Sequence, residues 1–265
     1  MGVVNVTPDS FAGAPLVDSE AAVTLALRLE ADGADIIDLG GESTRPGAQP
    51  VSAADELARV LPVVRRLSAR LKIPLSIDTY KASVARAAVD AGAQIINDIS
   101  GLRFDPALGA VAAATGAALV LMHTRGGPQT MHGGADYQDV IREVAAELKA
   151  SVAAATAAGV SADRIIVDPG IGFAKRPAHS YGVLGQLPAL AEALGRPLLV
   201  GPSRKSFMRA ALEERPAAER DWGTAAAVTA AVLAGAHIVR VHAVNEMVQV
   251  VRVAEEIRRH SVISH

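Results

Sequence analysis

Short runs of β-branched and other apolar residues alternate along this chain with longer alanine-rich stretches whose apolar positions recur at helical spacing. Eight runs stand out: Val3–Val6, Asp35–Leu39, Leu75–Asp78, Ile95–Ile99, Leu119–His123, Ile165–Asp168, Leu198–Gly201 and Ile238–His242. Each is close to continuously apolar, as expected of a parallel strand covered on both faces. Strand and helix in steady alternation predict β-α units, and eight such units close a barrel.

Boundary residues support the same division. Asp18 and Ser19 stand before an apolar-periodic stretch and predict a helix start, while Ser52 with Asp55 and Glu56 resembles a capping box. Gly33, Gly92, Gly159, Gly195 and Gly235 follow helical runs and predict helix exits. An open doubly wound sheet is the competing architecture. Dinucleotide binding there needs a glycine-rich turn after the first strand, and Asn5-Val6-Thr7-Pro8 is not one. The expectation is therefore an α/β fold, a (β/α)8 TIM barrel over residues 1–265 as one domain. Its longest loops, Gly40–Pro50 and Gly126–Asp136, fall on the same side of the barrel.

Composition narrows the function. Half of the 265 residues are hydrophobic, enough for one substantial core. The charge, 26 basic against 28 acidic residues, is −2 with no long block of either sign, which points to small-molecule substrates rather than nucleic acid or a membrane surface. With no cysteine, disulfides, thiolate metal sites and cysteine nucleophiles are excluded, and a reducing cytoplasm is expected. The opening Met1–Asn5 lacks the charged and apolar regions of a signal peptide, and no later apolar run reaches the ~18 residues of a membrane span.

Almost every run ends in a residue foreign to a core: Asn5, Asp38, Asp78, Asn97 with Asp98, His123, Asp168, Ser203 just beyond the seventh, then Arg240 and His242. In a barrel these positions converge at the C-terminal mouth, where barrel enzymes work. One such residue is easily structural: Asp38, leading into Gly40-Gly41-Glu42, can hold its loop by accepting backbone hydrogen bonds, and His123 can be a hydrogen-bonded core histidine. The recurrence on strand after strand argues for a site. Asp78, Asn97 and Asp168 suit a polar heterocycle, and Arg45, Lys205, Arg240 and His242 suit an anion.

Seven motifs in order resemble the dihydropteroate synthase family: residues 5–11 (NVTPDSF), 41–47 (GESTRPG), 76–79 (SIDT), 97–99 (NDI), 168–173 (DPGIGF), 203–206 (SRKS) and 240–242 (RVH). Each follows an expected strand, and together they span nearly the whole chain. The resemblance implies a cytoplasmic TIM-barrel transferase of folate synthesis. Its members are usually homodimers, join a pterin methyl diphosphate to 4-aminobenzoate, and are inhibited by sulfonamides.

For the site, the resemblance implies a pterin pocket of Asp78, Asn97, Met122, Asp168 and Lys205. A carboxylate such as Asp168 can take two hydrogen bonds from the amino and N–H edge of a guanine-like ring. Met122 would form a soft floor beneath the ring. Pyrophosphate would be held by Asn5, Arg45, Arg240 and His242, with Asn5 also ligating Mg2+. Arg240 and His242, two apart on one strand, share a face. For aminobenzoate the family implies Thr44, Arg45, Pro46, Phe173 and Ser206, the last at a helix N-terminus whose free N–H groups would seat a carboxylate. Asn5, Arg45, Lys205, Arg240 and His242 are the residues expected to carry catalysis through a dissociative transition state.

Two departures from the family pattern stand out. Ala12-Gly13-Ala14-Pro15 follows Ser10-Phe11 where members carry an acidic residue, and the chain opens almost directly at its first strand. The altered loop keeps open a pterin-binding relative without turnover. A barrel that moves a methyl group from a reduced folate to a corrinoid protein is a second rival, which the 203–206 run and the Arg240/His242 pair argue against.

Overall fold

The computed structural model describes residues 1–6, 15–43, 48–127 and 136–261. Its strands are β1 (Gly2–Asn5), β2 (Ile37–Gly40), β3 (Leu75–Asp78), β4 (Ile95–Asp98), β5 (Ala118–Met122), β6 (Ile165–Asp168), β7 (Leu199–Val200) and β8 (Ile238–Val239). The helices among the described residues are α1 (Pro15–Ala31), α2 (Ala53–Ser68), α3 (Ala82–Asp90), α4 (Ala107–Thr115), α5 (Val140–Ala157), α6 (Pro177–Gly185), α7 (Leu187–Leu194), α8 (Arg209–Leu212), α9 (Asp221–Leu233) and α10 (Val244–Ser261). All eight expected strands form. None of the described helices is long and apolar enough to cross a membrane.

β1 to β6 pair in sequence order and in parallel, and β7 pairs with β8. Two single bridges, Val167 with Leu198 and Gly2 with Val241, join these groups and complete the circle of the TIM barrel. The last two strands are short because the chain leaves the ladder early, into Gly201–Ser203 and Arg240–His242, which carry site residues.

Helix ends follow the local chemistry. Ser52 caps α2 by accepting from the Asp55 N–H at 3.1 Å. The five glycines expected at helix exits all have positive φ. One boundary differs: α1 begins at Pro15, so Asp18 and Ser19 lie inside it. Proline suits a first helical turn, where its missing N–H is not needed.

Between strands and helices the core buries Ile37, Leu39, Ile77, Ile96, Leu119 and Leu121 completely, each worth about 1.5–3 kcal/mol. On α2, Val60, Val63, Val64 and Leu67 recur three and four apart and close over it. A separate cluster, Met1, Ile95, Val120 and Leu199 with Ile36, Ala118, Ile166 and Ile238, plugs the barrel interior. Side chains two apart on a strand share a face, so the next inward residues along these strands are Asp38, Asn97, Met122, Asp168, Gly201 and Arg240. The apolar plug is the floor of the site.

Candidate active site

Strand register sets the ring of groups above that floor. Asn5 lies opposite Gly40, Gly40 opposite Asp78, Asp78 opposite Asn97, and Met122 opposite Asp168. Gly40 and Gly201 keep the mouth open. A Cβ on Gly40 would stand 3.6 Å from Asn5 Oδ1 and 3.4 Å from Asp78 Cβ, and one on Gly201 would stand 3.8 Å from Lys205 Nζ.

Asp38 holds the centre of the ring. Its carboxylate accepts from Ser76 Oγ at 2.6 Å, Asn97 Nδ2 at 3.0 Å and Arg240 Nε at 2.6 Å. The alternative reading, that it holds only its own loop, does not apply. Asp98 plays that part instead, accepting from the Ser100 and Leu102 N–H groups at 2.7 and 2.6 Å. The two cases differ in direction: Asp38 points into the barrel, and Asp98, one residue past inward Asn97, points out of it.

Arg240 also reaches Asp78, donating from Nη2 to Oδ2 at 2.7 Å. The acceptor set and the anion set, distinct in sequence, thus interlock through one guanidinium. Burial pushes the Asp78 carboxyl above its ordinary range, against the pull of Arg240. Arg240 is itself disfavoured by burial, but Asp38 and Asp78 hold its pKa above the ordinary value. The guanidinium stays charged.

Across the mouth, Asp168 accepts from the Gly170 N–H at 2.7 Å through Oδ1, and burial raises its pKa. Lys205 donates to the Ile171 carbonyl, and its ammonium lies 4.4 Å from the centre of the Phe173 ring. Burial lowers its pKa to about 8, with Asp168 opposing. Lys205 and Phe173, expected at the two halves of the site, meet at their border. Met122 is buried at the end of β5. Beyond β8, His242 is held by Ser203: its backbone N–H donates to Ser203 Oγ at 3.2 Å, and the same hydroxyl lies 2.9 Å from its ring Nδ1.

Ser206 opens a three-residue 3₁₀ turn, Ser206–Met208, that runs into the four-residue α8. The helix dipole expected to support a carboxylate there is correspondingly short; the exposed hydroxyl and first N–H groups remain. Arg204, in the left-handed region at φ 59°, fixes this corner through paired hydrogen bonds to Asp221 at 2.8 and 2.7 Å. Thr44, Arg45 and Pro46, with the Ala12–Ala14 departure, lie outside the described residues.

His123 does not face the mouth. It is buried on the outer side of β5, with Nε2 3.0 Å from Glu147 Oε2 and Nδ1 2.8 Å from Lys175 Nζ. Burial lowers its pKa to about 4, so it is neutral. Lys175 and the Glu42–Lys81–Glu56 cluster under the second loop were missed from sequence. Neither sits at a strand end, and a lysine in a loop reads as solvated.

A family model described as pterin binding enzyme matches residues 1–242. The dihydropteroate synthase of Synechocystis sp. is 48% identical over 260 residues, 98% of this chain and 90% of that protein. A Xanthomonas albilineans dihydropteroate synthase solved in complex with 7,8-dihydropteroate superposes with a TM-score of 0.88 at 40% identity, covering 97% of this chain and 92% of that one. The Yersinia pestis enzyme, solved with a sulfonamide drug, gives 0.92 at 41% identity, covering 98% and 94%.

Proposed function

The chain belongs to the family of pterin-binding enzymes, and we infer from that membership and from its site that it catalyses the dihydropteroate synthase reaction of folate biosynthesis. In this transfer the methylene C–O bond of 6-hydroxymethyl-7,8-dihydropterin diphosphate breaks, with its electron pair leaving on pyrophosphate. The 4-aminobenzoate nitrogen forms the new C–N bond and loses one proton, giving 7,8-dihydropteroate.

The observation that carries the reading of the site is the ring of inward acceptors and donors over an apolar plug. The free lone pairs of Asp168 suit the amino and N–H edge of a pterin, because the Gly170 N–H occupies only one oxygen. Asn97 gives its amide N–H to Asp38 and so turns its Oδ1 toward a ring donor. Lys205 keeps N–H groups for the carbonyl side, and Met122 supplies the floor. Pairing of this kind rejects rings lacking the same edge by a large factor, on the order of 10⁴.

For the leaving group, the remaining N–H donors of Arg240, together with His242, Asn5 and Arg45, would stabilise charge that grows as the C–O bond lengthens. Asn5 fits the role of an Mg2+ ligand: its amide oxygen borders the space left by Gly40, and the neighbouring Asp78 carboxylate is committed to Arg240. No cluster of three acidic or imidazole ligands occurs among the described residues, so the protein would supply few donors and phosphate or water the rest, as Mg2+ favours. When bound, Mg2+ would offset charge on the diphosphate.

The aniline is a weak nucleophile, so the protein's task there is orientation. Phe173 would pack on the aminobenzoate ring, Ser206 would receive its carboxylate, and Thr44, Arg45 and Pro46 would close over both substrates. Two copies of the chain would form a homodimer, supported by the apolar residues that α9 and α10 leave exposed. Continuous measurement of pyrophosphate release tests the function: release should require both substrates together, and pterin binding without release would leave a binding protein only.

A further inference from the structure

We propose that Lys175 is a positioning residue: its ammonium clamps the Asp168–Phe173 loop in the one shape that presents both Asp168 and Phe173 to substrate. This rests on the pterin reading of the site.

The loop has an unusual backbone. Gly170 and Gly172 have φ of +68° and +77°, and Ala174, which has a Cβ, sits at +45°. A Cβ on Gly170 would lie 1.9 Å from the His123 carbonyl oxygen, so backbone meets backbone there. The segment makes one backbone hydrogen bond of its own, from the Phe173 N–H to the Gly170 carbonyl at 3.0 Å, and its other carbonyls need donors from elsewhere. Side chains provide them. Lys175 Nζ donates to the Gly170 and Phe173 carbonyls, both at 3.2 Å, Lys205 Nζ to Ile171, and the Tyr137 hydroxyl to Ala174 at 2.9 Å.

The third acceptor of Lys175 is His123 Nδ1 at 2.8 Å. An ammonium has only donors, so the His123 proton must sit on Nε2, where it is given to Glu147. The Glu147 carboxyl is held down near 2 by that hydrogen bond, and Arg125 pairs with the same group. Lys175 therefore ties the loop to the end of β5 and, through His123, to α5.

Three acceptors use all three donors of a protonated lysine; a neutral amine offers fewer and turns a lone pair toward one of them. Burial lowers the Lys175 pKa to about 7, opposed by Asp168 and Glu147 and reinforced by Lys205 and Arg125, with the Tyr137 ring centre 6.0 Å distant. His123 stays neutral across this range. Rising pH should loosen the loop before Lys205 titrates near 8.

The test compares wild type, Lys175→Met and Lys175→Arg by calorimetry with free 6-hydroxymethylpterin and, separately, with inorganic pyrophosphate, between roughly pH 6 and 9. Lys175→Met should weaken pterin on the order of ten- to hundredfold and leave pyrophosphate almost unchanged, since Asn5 on β1 and Arg240 just beyond β8 are carried by other strands than β6 and its loop. Lys175→Arg, which keeps its charge at all these pH values, should recover most pterin affinity and move the alkaline loss of binding to higher pH, toward the range where Lys205 loses its proton. Undiminished pterin binding by Lys175→Met, equal weakening of both ligands, or an unmoved alkaline midpoint in Lys175→Arg would each overturn the proposal. Should Lys175→Met fail to fold, the arginine variant's midpoint decides. Failure of the wild type to bind pterin counts instead against the pterin reading itself.

Discussion

Arg240 and Asp38, 202 residues apart, are joined by a 2.6 Å hydrogen bond from Nε to Oδ2. The contact ties the last strand to the second, and through Asn97 and Ser76 to the fourth and third. Any anion that draws Arg240 toward itself must loosen Asp78, which shares the same guanidinium. A diphosphate tail and a pterin ring are thus coupled: the first competes for the cation that otherwise occupies an acceptor meant for the second.

Asp38→Asn should expose that coupling. It preserves shape but removes the charge, leaving Arg240 with Asp78 alone. Breaking a buried pair costs about 3–5 kcal/mol, and the partly accessible Arg240 places the loss at the lower end. Urea unfolding should show this loss, with turnover reduced more than the affinity for free pterin. Wild-type stability in the variant would refute a structural role for the pair.

Asp168→Ala and Arg240→Ala should separate ring from tail. The first removes an acceptor for two charge-assisted hydrogen bonds, worth about 1.5–3 kcal/mol each, and should abolish measurable binding of free pterin. The second should weaken the diphosphate ester more than free pterin, which it touches only indirectly through Asp78 and the Asp38–Asn97 pair. Calorimetry with both ligands reads the difference, and equal ester affinity in wild type and Arg240→Ala counts against the anion site.

Much of this arrangement was legible in the sequence because barrel strands alternate by two and end at one mouth. Asp78, Asn97, Asp168 and Arg240 announce themselves as strand-end residues in apolar runs, and all four come together, whereas Met122 came only with the family resemblance. What strand position does not give is side-chain direction one residue either way. That single step sends His123 outward beside inward Met122, and Asp98 outward beside inward Asn97. Nor does local pattern reveal Lys175, whose partners come from β5 and from its own loop.

The pH profile of kcat/KM should be bell-shaped. Asp168 has a carboxyl raised by burial, so acidification protonates it at a higher pH than an ordinary aspartate and removes the acceptor for the ring. On the alkaline side, Lys175 near 7 and Lys205 near 8 lose their protons in turn, and with them the donors that hold the loop and the ring's carbonyl side. Because kcat/KM reports the free enzyme, these limbs belong to the ligand-free protein. A flat profile from pH 6 to about 9 would show that neither lysine need be charged.

Gly170→Ala should be among the most damaging single-methyl changes. Its φ of +68° disfavours any side chain, and the new carbon would fall 1.9 Å from the His123 carbonyl oxygen. The strain alone costs about 1–2 kcal/mol, and relief requires the backbone that anchors Asp168 to move. Lower thermal stability should therefore accompany lost pterin affinity. A variant that keeps both would show that the loop has another shape available.

The proposed homodimer offers a test away from the site. Val253 and Ile257 on α10 and Leu233 at the end of α9 are 61%, 49% and 42% exposed, and Arg258 binds the Val232 carbonyl at 3.1 Å, which brings the two helix ends together. Trp222, at the start of α9, is 89% exposed. Large apolar side chains on adjacent helices are what a second copy would cover, and a stable dimer buries about 800 Å² per partner. Light scattering should find the wild type as a dimer. Val253→Glu with Ile257→Glu, by placing like charges opposite their own copies across a two-fold axis, should give monomers of unchanged helical content. A wild type that stays monomeric at tens of micromolar would leave this face without a self-partner and remove the argument for dimerisation through α9 and α10.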